Sequence, residues 1–216
     1  LGRAIARLSG ASSVQETPNS LELERRIGDA DHLIFVLLDG VGMNVLEGMP
    51  PDAFLPNHLD RELFTVFPST TAVALTSLAT GQWPTTHAVT GWWTHLDQLG
   101  APAVILRYVT RAENRDLAEL GVEPESAFPV PSVLSQFKRD SQVMVPANLV
   151  DSTYSRYFSG GSQTVGFSSL QEAVAMVAQR VLEATEPTFT YVYIPHVDGL
   201  AHRHGMTRPE VREALM

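Results

Sequence analysis

The sequence predicts an α/β protein with a largely parallel sheet flanked by helices, because strand-like apolar runs alternate with helix-like segments. The run 32–39, HLIFVLLD, is continuously apolar and rich in branched residues, which is typical of a strand buried on both faces. The stretch 168–186 has apolar residues at helical spacing and a serine available as an N-cap. A second strand-like run, TFTYVYI at 188–194, follows it directly.

Weaker patterns fill the rest of the chain, and proline and glycine mark most of their ends. They predict helices at 1–13, 40–49, 69–81 and 132–139, strands at 63–67 and 142–146, and a strand pair within 91–108. The turn-rich stretch 100–131 is expected to be an insertion or a connecting region. With 216 residues, the chain is expected to be a single domain over 1–216.

Composition excludes several classes of function. The chain has 15 basic and 24 acidic residues, a net charge of −9, whereas a nucleic-acid binder needs a basic face. It has no cysteine, which excludes a disulfide scaffold, a thiolate nucleophile and a cysteine-ligated metal. No stretch reaches the roughly 18 uncharged apolar residues of a membrane span. We therefore expect neither a nucleic-acid polymer as partner nor a membrane span.

Three polar clusters follow or adjoin predicted strands, and ligands of parallel sheets bind beyond the carboxyl ends of strands. Asp39 comes directly after the first strand, and three residues with hydroxyl side chains, Ser69, Thr70 and Thr71, lie at the start of a predicted helix. The third cluster follows the strand 188–194 and consists of His196, Asp198, His202 and His204.

Each cluster has an ordinary structural interpretation beside a functional one. Asp39 with the glycine after it is typical of a turn, and Ser or Thr at a helix start is typical of a cap. Asp198 and His202 are four residues apart, so in a helix their side chains would lie on the same face. They could form a surface pair there or bind a metal ion together. Their oxygen and imidazole donors suit Zn, Mn or a similar divalent ion.

Taken together, the clusters predict a metal-assisted phosphoryl-transfer site. A helix N-terminus offers free N–H groups to an anion, and a hydroxyl there could attack a phosphoryl group. Neither histidine nor lysine lies close to these hydroxyls in sequence, so a metal ion would be the natural activator.

Three segments, in chain order, resemble the type I phosphodiesterase/nucleotide pyrophosphatase family of the alkaline phosphatase superfamily. They are LLDGVGMNVL, FPSTTAVALTSLATGQWPTTHAVTGW and YVYIPHVDGLAHRHG. The resemblance covers about 33–92 and 188–205, and the middle segment is the most specific of the three. It implies an alkaline-phosphatase-like fold and hydrolysis of phosphodiester or pyrophosphate bonds in a small-molecule phosphate ester.

The resemblance also implies roles for four residues. Asp39 matches a ligand of one of two divalent metal ions, normally zinc, with manganese as the alternative. Thr71 matches the metal-bound nucleophile, and Thr70 is the alternative nucleophile because a helix cap is easily misjudged by one position. Asp198 and His202 match ligands of the other ion.

Two departures from the family pattern keep other activities open. Nucleotide-cleaving members carry an asparagine three positions after the nucleophile, where this chain has Ala74. The later Asp-His-Gly motif and a distal histidine do not occur in these residues. The alternatives are a phosphomonoesterase or phosphonate hydrolase of the same superfamily, or an inactive binding domain with this fold.

Two further expectations concern the end of the chain and the segment after the proposed nucleophile. The segment from Thr207 starts as a helix and has no stop signal before Met216, so we expect the sequence to be the N-terminal portion of a longer catalytic domain. His87, with the tryptophans near it in sequence, is interpreted either as a packing residue or as part of a substrate pocket. The tryptophans are Trp83, Trp92 and Trp93.

Overall fold

A computed structural model describes residues 1–214 and confirms the α/β class. The strands are β1 His32–Leu38, β2 Trp93–Leu96, β3 Ala101–Val104, β4 Val109–Thr110, β5 Asp140–Pro146, β6 Gln163–Phe167 and β7 Thr188–Ile194. The α-helices are α1 Gly2–Leu8, α2 Pro18–Ile27, α3 Met43–Leu46, α4 Phe54–Asn57, α5 Thr71–Thr80, α6 Pro84–His87, α7 Pro124–Ala127, α8 Thr153–Ser159, α9 Leu170–Glu183, α10 His196–His204 and α11 Pro209–Glu213. Short 3₁₀ helices lie at Ile105–Arg107, Val133–Gln136 and Ala147–Leu149.

The larger sheet is parallel and has four strands in the order β1-β7-β5-β6. β5 pairs with β6 from Gln142 opposite Gln163 to Pro146 opposite Phe167. Helix α8 connects β5 to β6, and α9 connects β6 to β7. Helical crossovers of this kind connect the parallel strands of one sheet, and the predicted sheet type is confirmed.

The smaller sheet is antiparallel, with the order β2-β3-β4. Trp93 lies opposite Val104 and Leu96 opposite Ala101, which confirms the strand pair expected within 91–108. The turn-rich stretch 100–131 contains β3, β4 and α7, and its remaining residues are mainly turns and bends.

The chain divides into two compact units. The first comprises 1–35 and 65–191, and the second comprises 36–64 and the residues from 192 onward. The single domain over 1–216 stays a prediction. Among the described residues, no helix has the length and apolar content that a membrane span requires.

In the first unit, α5 is buried along most of its length. Six of its ten residues are buried, namely Ala72, Val73, Leu75, Thr76, Ala79 and Thr80. A helix rich in Ser and Thr can occupy a core because its hydroxyls bond to carbonyls one turn back. The bonds run from Thr76 to Ala72, from Ser77 to Val73 and from Thr80 to Thr76. Gly81, with φ 65°, ends the helix in the left-handed conformation, as predicted.

Two strand predictions were wrong. β1 is not buried on both faces: it lies at the edge of the sheet, and Ile34 and Val36 are 45% and 48% exposed. The segment 63–67 forms no strand, and Phe64 and Phe67 are largely exposed. In both cases apolar composition alone could not say whether a neighbouring strand or helix would cover the side chains.

The predicted helices vary in how far they form. α9 is a full helix whose N-cap Ser169 accepts a hydrogen bond from the Glu172 N–H, yet Ala173 is its one buried residue. The helix expected at 40–49 shortens to α3, and the one at 132–139 becomes a single 3₁₀ turn. The helix expected from Thr207 is present as α11, and its continuation to Met216 lies outside the described residues.

Candidate functional site

Asp39 sits at the carboxyl end of β1 and is held there by both backbone and side chain. Its N–H donates to the carbonyl of Ile194 at 3.0 Å, which continues the pairing of β1 with β7. Its carboxylate oxygen Oδ2 accepts a hydrogen bond from the Tyr193 hydroxyl at 2.7 Å. Oδ1 accepts one from the N–H of Gly40 at 3.0 Å. The side chain is half-buried, and both of its oxygens have a donor from the protein.

Asp198, near the start of α10, comes against the turn that follows β1. Its N–H donates to the carbonyl of Asp39 at 3.1 Å, so the backbones of the two aspartates are joined directly. The approach is close because Gly40 has no side chain. A Cβ there would lie 2.7 Å from the N and Cα atoms of Asp198. Gly40 also has φ 80°, a conformation that other residues rarely adopt.

The electrostatics of this pair favour a cation. Partial burial raises the pKa of Asp198, the charge of Asp39 raises that pKa further, and His202 opposes the shift. A carboxylate whose ionised form is disfavoured by burial and by a neighbouring negative charge is stabilised by a positive charge placed beside it.

His202 lies one turn after Asp198 on α10, as its spacing predicts. Its Nε2 is 3.5 Å from Oδ1 of Asp198, and the imidazole is 81% exposed. The neighbouring histidines His196 and His204 are also exposed on α10. An exposed imidazole is accessible to an ion from solvent, but the helix alone does not hold it in one orientation.

The predicted nucleophile begins α5 in the first unit. Thr71 is the first helical residue, and Thr70 is the N-cap. Thr70 makes no side-chain cap bond, although threonine is a favoured cap residue. Its Oγ1 is a buried atom with no hydrogen-bond partner among the described residues. A buried hydroxyl of this kind at a helix N-terminus is uncommon, because such groups are normally satisfied.

Ala74 occupies the first position of α5 whose N–H is used within the helix. That N–H donates to the Thr70 carbonyl at 3.0 Å, which closes the first turn of the helix. The methyl side chain of Ala74 can donate no hydrogen bond.

His87 is a packing residue. It is fully buried, its Nδ1 accepts from the Val89 N–H, and its Nε2 lies 2.9 Å from the Ser77 hydroxyl. Because Ser77 donates to the Val73 carbonyl, the imidazole is neutral and donates from Nε2. Burial lowers the pKa of His87, in keeping with this neutral form.

The three tryptophans, in contrast, are exposed. Trp83 is 62% exposed and Trp93 is 52% exposed. Trp93 carries the guanidinium of Arg111 over its ring, 4.0 Å from the ring centroid. None of the described contacts of these rings forms a closed pocket for a substrate group, so that interpretation stays a prediction.

The residues of the second unit fit a divalent cation in chemistry, although not as a complete site. Carboxylate oxygens and imidazole nitrogen are the donors that Zn and Mn accept. Within residues 1–214, however, no cluster of three or more His, Asp or Glu side chains is arranged so that it could hold a metal ion.

The sequence-predicted residues therefore fall into two groups. Asp39, Asp198 and His202 belong to the second unit, where backbone and side-chain contacts bring them together; Thr71 belongs to the first unit. Sequence reasoning missed Tyr193 and the role of Gly40. A tyrosine near the carboxyl end of a buried strand, whose hydroxyl needs a partner, is the signal that could have found Tyr193.

The parallel sheet, with acidic and imidazole groups following two of its strands, defines an α/β protein with a candidate site beyond the carboxyl ends of those strands. Residues 33–216 match the family model of type I phosphodiesterase / nucleotide pyrophosphatase. The chain belongs to this family of hydrolases, and its fold is consistent with the alkaline-phosphatase-like architecture that the motifs imply. No curated protein and no solved structure gives a significant match.

Proposed function

We propose that the protein is a metal-dependent phosphohydrolase that cleaves phosphodiester or pyrophosphate bonds of a small-molecule phosphate ester. The observation that carries the proposal is the approach of Asp198, in the first turn of α10, to Asp39, at the end of β1: their backbones share a hydrogen bond, and the charge of Asp39 raises the pKa of Asp198. Proteins rarely place two carboxylates together without a cation or a shared proton.

The ligand assignment follows the two groups of residues. Asp39 would bind one divalent ion, while Asp198 and His202 would bind another, and their oxygen and nitrogen donors suit zinc or manganese. When bound, such ions neutralise the charge of the phosphate and lower the proton affinity of a nearby hydroxyl.

Thr71 is the proposed nucleophile. The proton of its hydroxyl passes to solvent, its oxygen forms a bond to phosphorus, and the bond from phosphorus to the leaving oxygen breaks, so that the leaving group departs as an alkoxide or phenolate that solvent can protonate. Water then hydrolyses the phosphothreonine and restores the hydroxyl. The N–H groups of the first turn of α5 would bind the phosphoryl oxygens, because the positive end of the helix dipole lies there.

The position of Thr71 supports this role in two respects. Residues after it in α5 are packed in a core, so the helix start cannot shift without disrupting that core. The unpartnered Oγ1 of Thr70 beside it is a polar group that a bound phosphoryl oxygen would satisfy. The second feature also keeps Thr70 as the alternative nucleophile.

The test is metal-dependent turnover of model esters. The full-length protein is assayed on bis-p-nitrophenyl phosphate and on p-nitrophenyl phosphate, with added Zn²⁺ or Mn²⁺ and after chelation. We expect turnover of the diester that requires the metal and is lost in Asp198→Asn. The control Asp97→Asn removes a fully exposed carboxylate and should leave turnover unchanged.

Other outcomes would change the conclusion. Faster turnover of the monoester than of the diester would make the protein a phosphomonoesterase of the same superfamily. Metal binding without turnover of either ester would favour a binding domain with this fold. Full activity after chelation would overturn the metal-dependent mechanism.

A further inference from the structure

We infer that Tyr193 is a positioning residue for Asp39: its hydroxyl fixes the carboxylate in the orientation in which it binds a cation. The inference rests on the proposed function, because it takes Asp39 to be a metal ligand. Tyr193 is separated from Asp39 by 154 positions in the chain and lies one residue before the end of β7.

The first step is geometric. Rotation about the last side-chain bond of an aspartate is soft, so a carboxylate with no donor samples a broad range of orientations. Here the Tyr193 hydroxyl donates to Oδ2 at 2.7 Å, and the Gly40 N–H donates to Oδ1 at 3.0 Å. With one donor on each oxygen, the carboxylate plane is fixed. A carboxylate has about four lone-pair sites, so these bonds are compatible with a cation on the same group.

The second step concerns how firmly Tyr193 itself is held. The Asp39 N–H donates to the carbonyl of Ile194, the residue next to Tyr193, at 3.0 Å. The register of β1 against β7 therefore sets the distance between the backbone of Tyr193 and the backbone of Asp39. A half-buried phenol has few rotamers, so its hydroxyl reaches a defined point.

The third step separates this hydroxyl from those with a purely structural role. The hydroxyls of Tyr157 and Tyr108 donate to backbone carbonyls, those of Val130 and Val122. Such bonds satisfy a buried phenol and do nothing more. The acceptor of Tyr193 is an ionisable side chain of the candidate site, and a bond to a charged oxygen is stronger than a neutral one.

A hydrogen bond to a metal ligand raises the affinity of the site because the ligand side chain is already ordered before the metal binds. Less conformational entropy is then lost on binding. Loss of such a bond in metalloproteins weakens metal binding by about 10–100-fold. We therefore expect Tyr193→Phe, which removes one oxygen atom and keeps the ring, to weaken Zn²⁺ or Mn²⁺ binding by that factor.

The experiment is isothermal calorimetry with Mn²⁺ and with Zn²⁺ on four full-length proteins. These are the wild type, Tyr193→Phe, Asp39→Asn and the control Tyr157→Phe, which loses a hydroxyl bonded to a backbone carbonyl. Thermal unfolding of each metal-free protein reports whether it is folded. The expected pattern is loss of one binding event in Asp39→Asn, about 10–100-fold weaker binding in Tyr193→Phe, and wild-type affinity in Tyr157→Phe.

A second measurement uses the wild type and does not depend on how any variant folds. A cation on Asp39 changes the charge of the oxygen that accepts from Tyr193, so metal addition should produce a tyrosine difference band in the near-ultraviolet spectrum. That band should be absent from Tyr193→Phe and present in Tyr157→Phe.

The outcomes separate the inference from the function on which it rests. If Asp39→Asn weakens binding while Tyr193→Phe binds like the wild type, or if metal binding gives no tyrosine band, the positioning role is overturned and the metal site stands. If the wild type binds no metal, or Asp39→Asn binds as the wild type does, the proposed metal site fails, and the role of Tyr193 fails with it.

Discussion

Thr71 begins a helix whose following residues lie in the core of the first unit, whereas Asp39, Asp198 and His202 lie at strand ends and on an exposed helix of the second. The proposed nucleophile is thus positioned by packing, and the proposed ligands are positioned by hydrogen bonds. Packing resists movement of a whole element, while hydrogen bonds orient single groups and can be lost one at a time. Single substitutions should therefore affect the two regions differently.

The largest expected effect is on the rate of diester turnover. Thr71→Ala removes the proposed nucleophile at the start of α5 and should lower metal-dependent diester turnover by roughly three orders of magnitude or more. The unfolding temperature should change little, because Thr71 is not part of the buried set of α5. Thr70→Ala is the matched control, since it removes a hydroxyl one position earlier. If Thr70→Ala loses turnover and Thr71→Ala keeps it, the assignment moves to Thr70.

The second prediction addresses the backbone contact between the two aspartates. Gly40→Ala places a Cβ 2.7 Å from backbone atoms of Asp198 at a residue with φ 80°. The conformation alone costs about 1–3 kcal/mol, and the contact forces the aspartates apart. In Gly40→Ala, both the metal affinity and the free energy of unfolding should therefore decrease.

Gly100→Ala serves as the control for that variant. Gly100 also has a positive φ of 63°, but a Cβ there would have nothing within 4 Å. It should show the conformational cost without the loss of metal affinity. Equal destabilisation in both variants, with unchanged metal binding in Gly40→Ala, would show that the close approach to Asp198 is unimportant.

A third, smaller effect is expected on α10. His202→Ala should weaken the binding of one metal ion by at least about tenfold, with little change in stability, because the imidazole is largely exposed. His204→Ala is the matched control on the same helix, since His204 is also exposed and has no contact with Asp198. Equal effects of the two variants in calorimetry would remove His202 from the ligand set.

The smallest effect concerns the packed region and its response to pH. The pKa of His87 is lowered by burial from the ordinary value of 6.5, so the unfolded chain binds a proton at a higher pH than the folded chain does. The contribution of His87 to stability is complete above about pH 6.5 and decreases as the pH falls through that value.

Thermal unfolding between about pH 7 and pH 5 tests this sign. The wild type should lose stability over that interval, and His87→Gln should lose less. His95→Gln, which removes an exposed imidazole, should behave like the wild type. If His87→Gln has the full pH dependence, the buried neutral histidine does not cause it.

The sequence was sufficient for the elements with strong local signals. β7 coincides with the predicted strand, α5 ends at the predicted glycine, and α9 begins at a predicted serine cap. The sequence was insufficient wherever the burial of an element depends on which strands or helices pack beside it. The run in β1 has the composition of a buried strand, and only the strand order places it at an edge.

The same division applies to the candidate site. The spacing of Asp198 and His202 predicted their contact, because four residues make one helical turn. The bond from Tyr193 to Asp39 could not be predicted, since it depends on which strand pairs with β1 and in what register. Register is a property of the assembled sheet, and no local pattern contains it.

The separation of Tyr193 from Asp39 by 154 positions has a further consequence. In the unfolded chain these groups are parts of a long open loop, whose closure costs an entropy that grows with the logarithm of its length. The unfolded chain therefore contains no preassembled Asp39 and Asp198 pair, and a cation that requires both can bind only after folding. By mass action, each tenfold excess of such a cation over its dissociation constant adds about 1.4 kcal/mol to the free energy of unfolding. The midpoint of unfolding then becomes a measure of metal concentration as well as of packing.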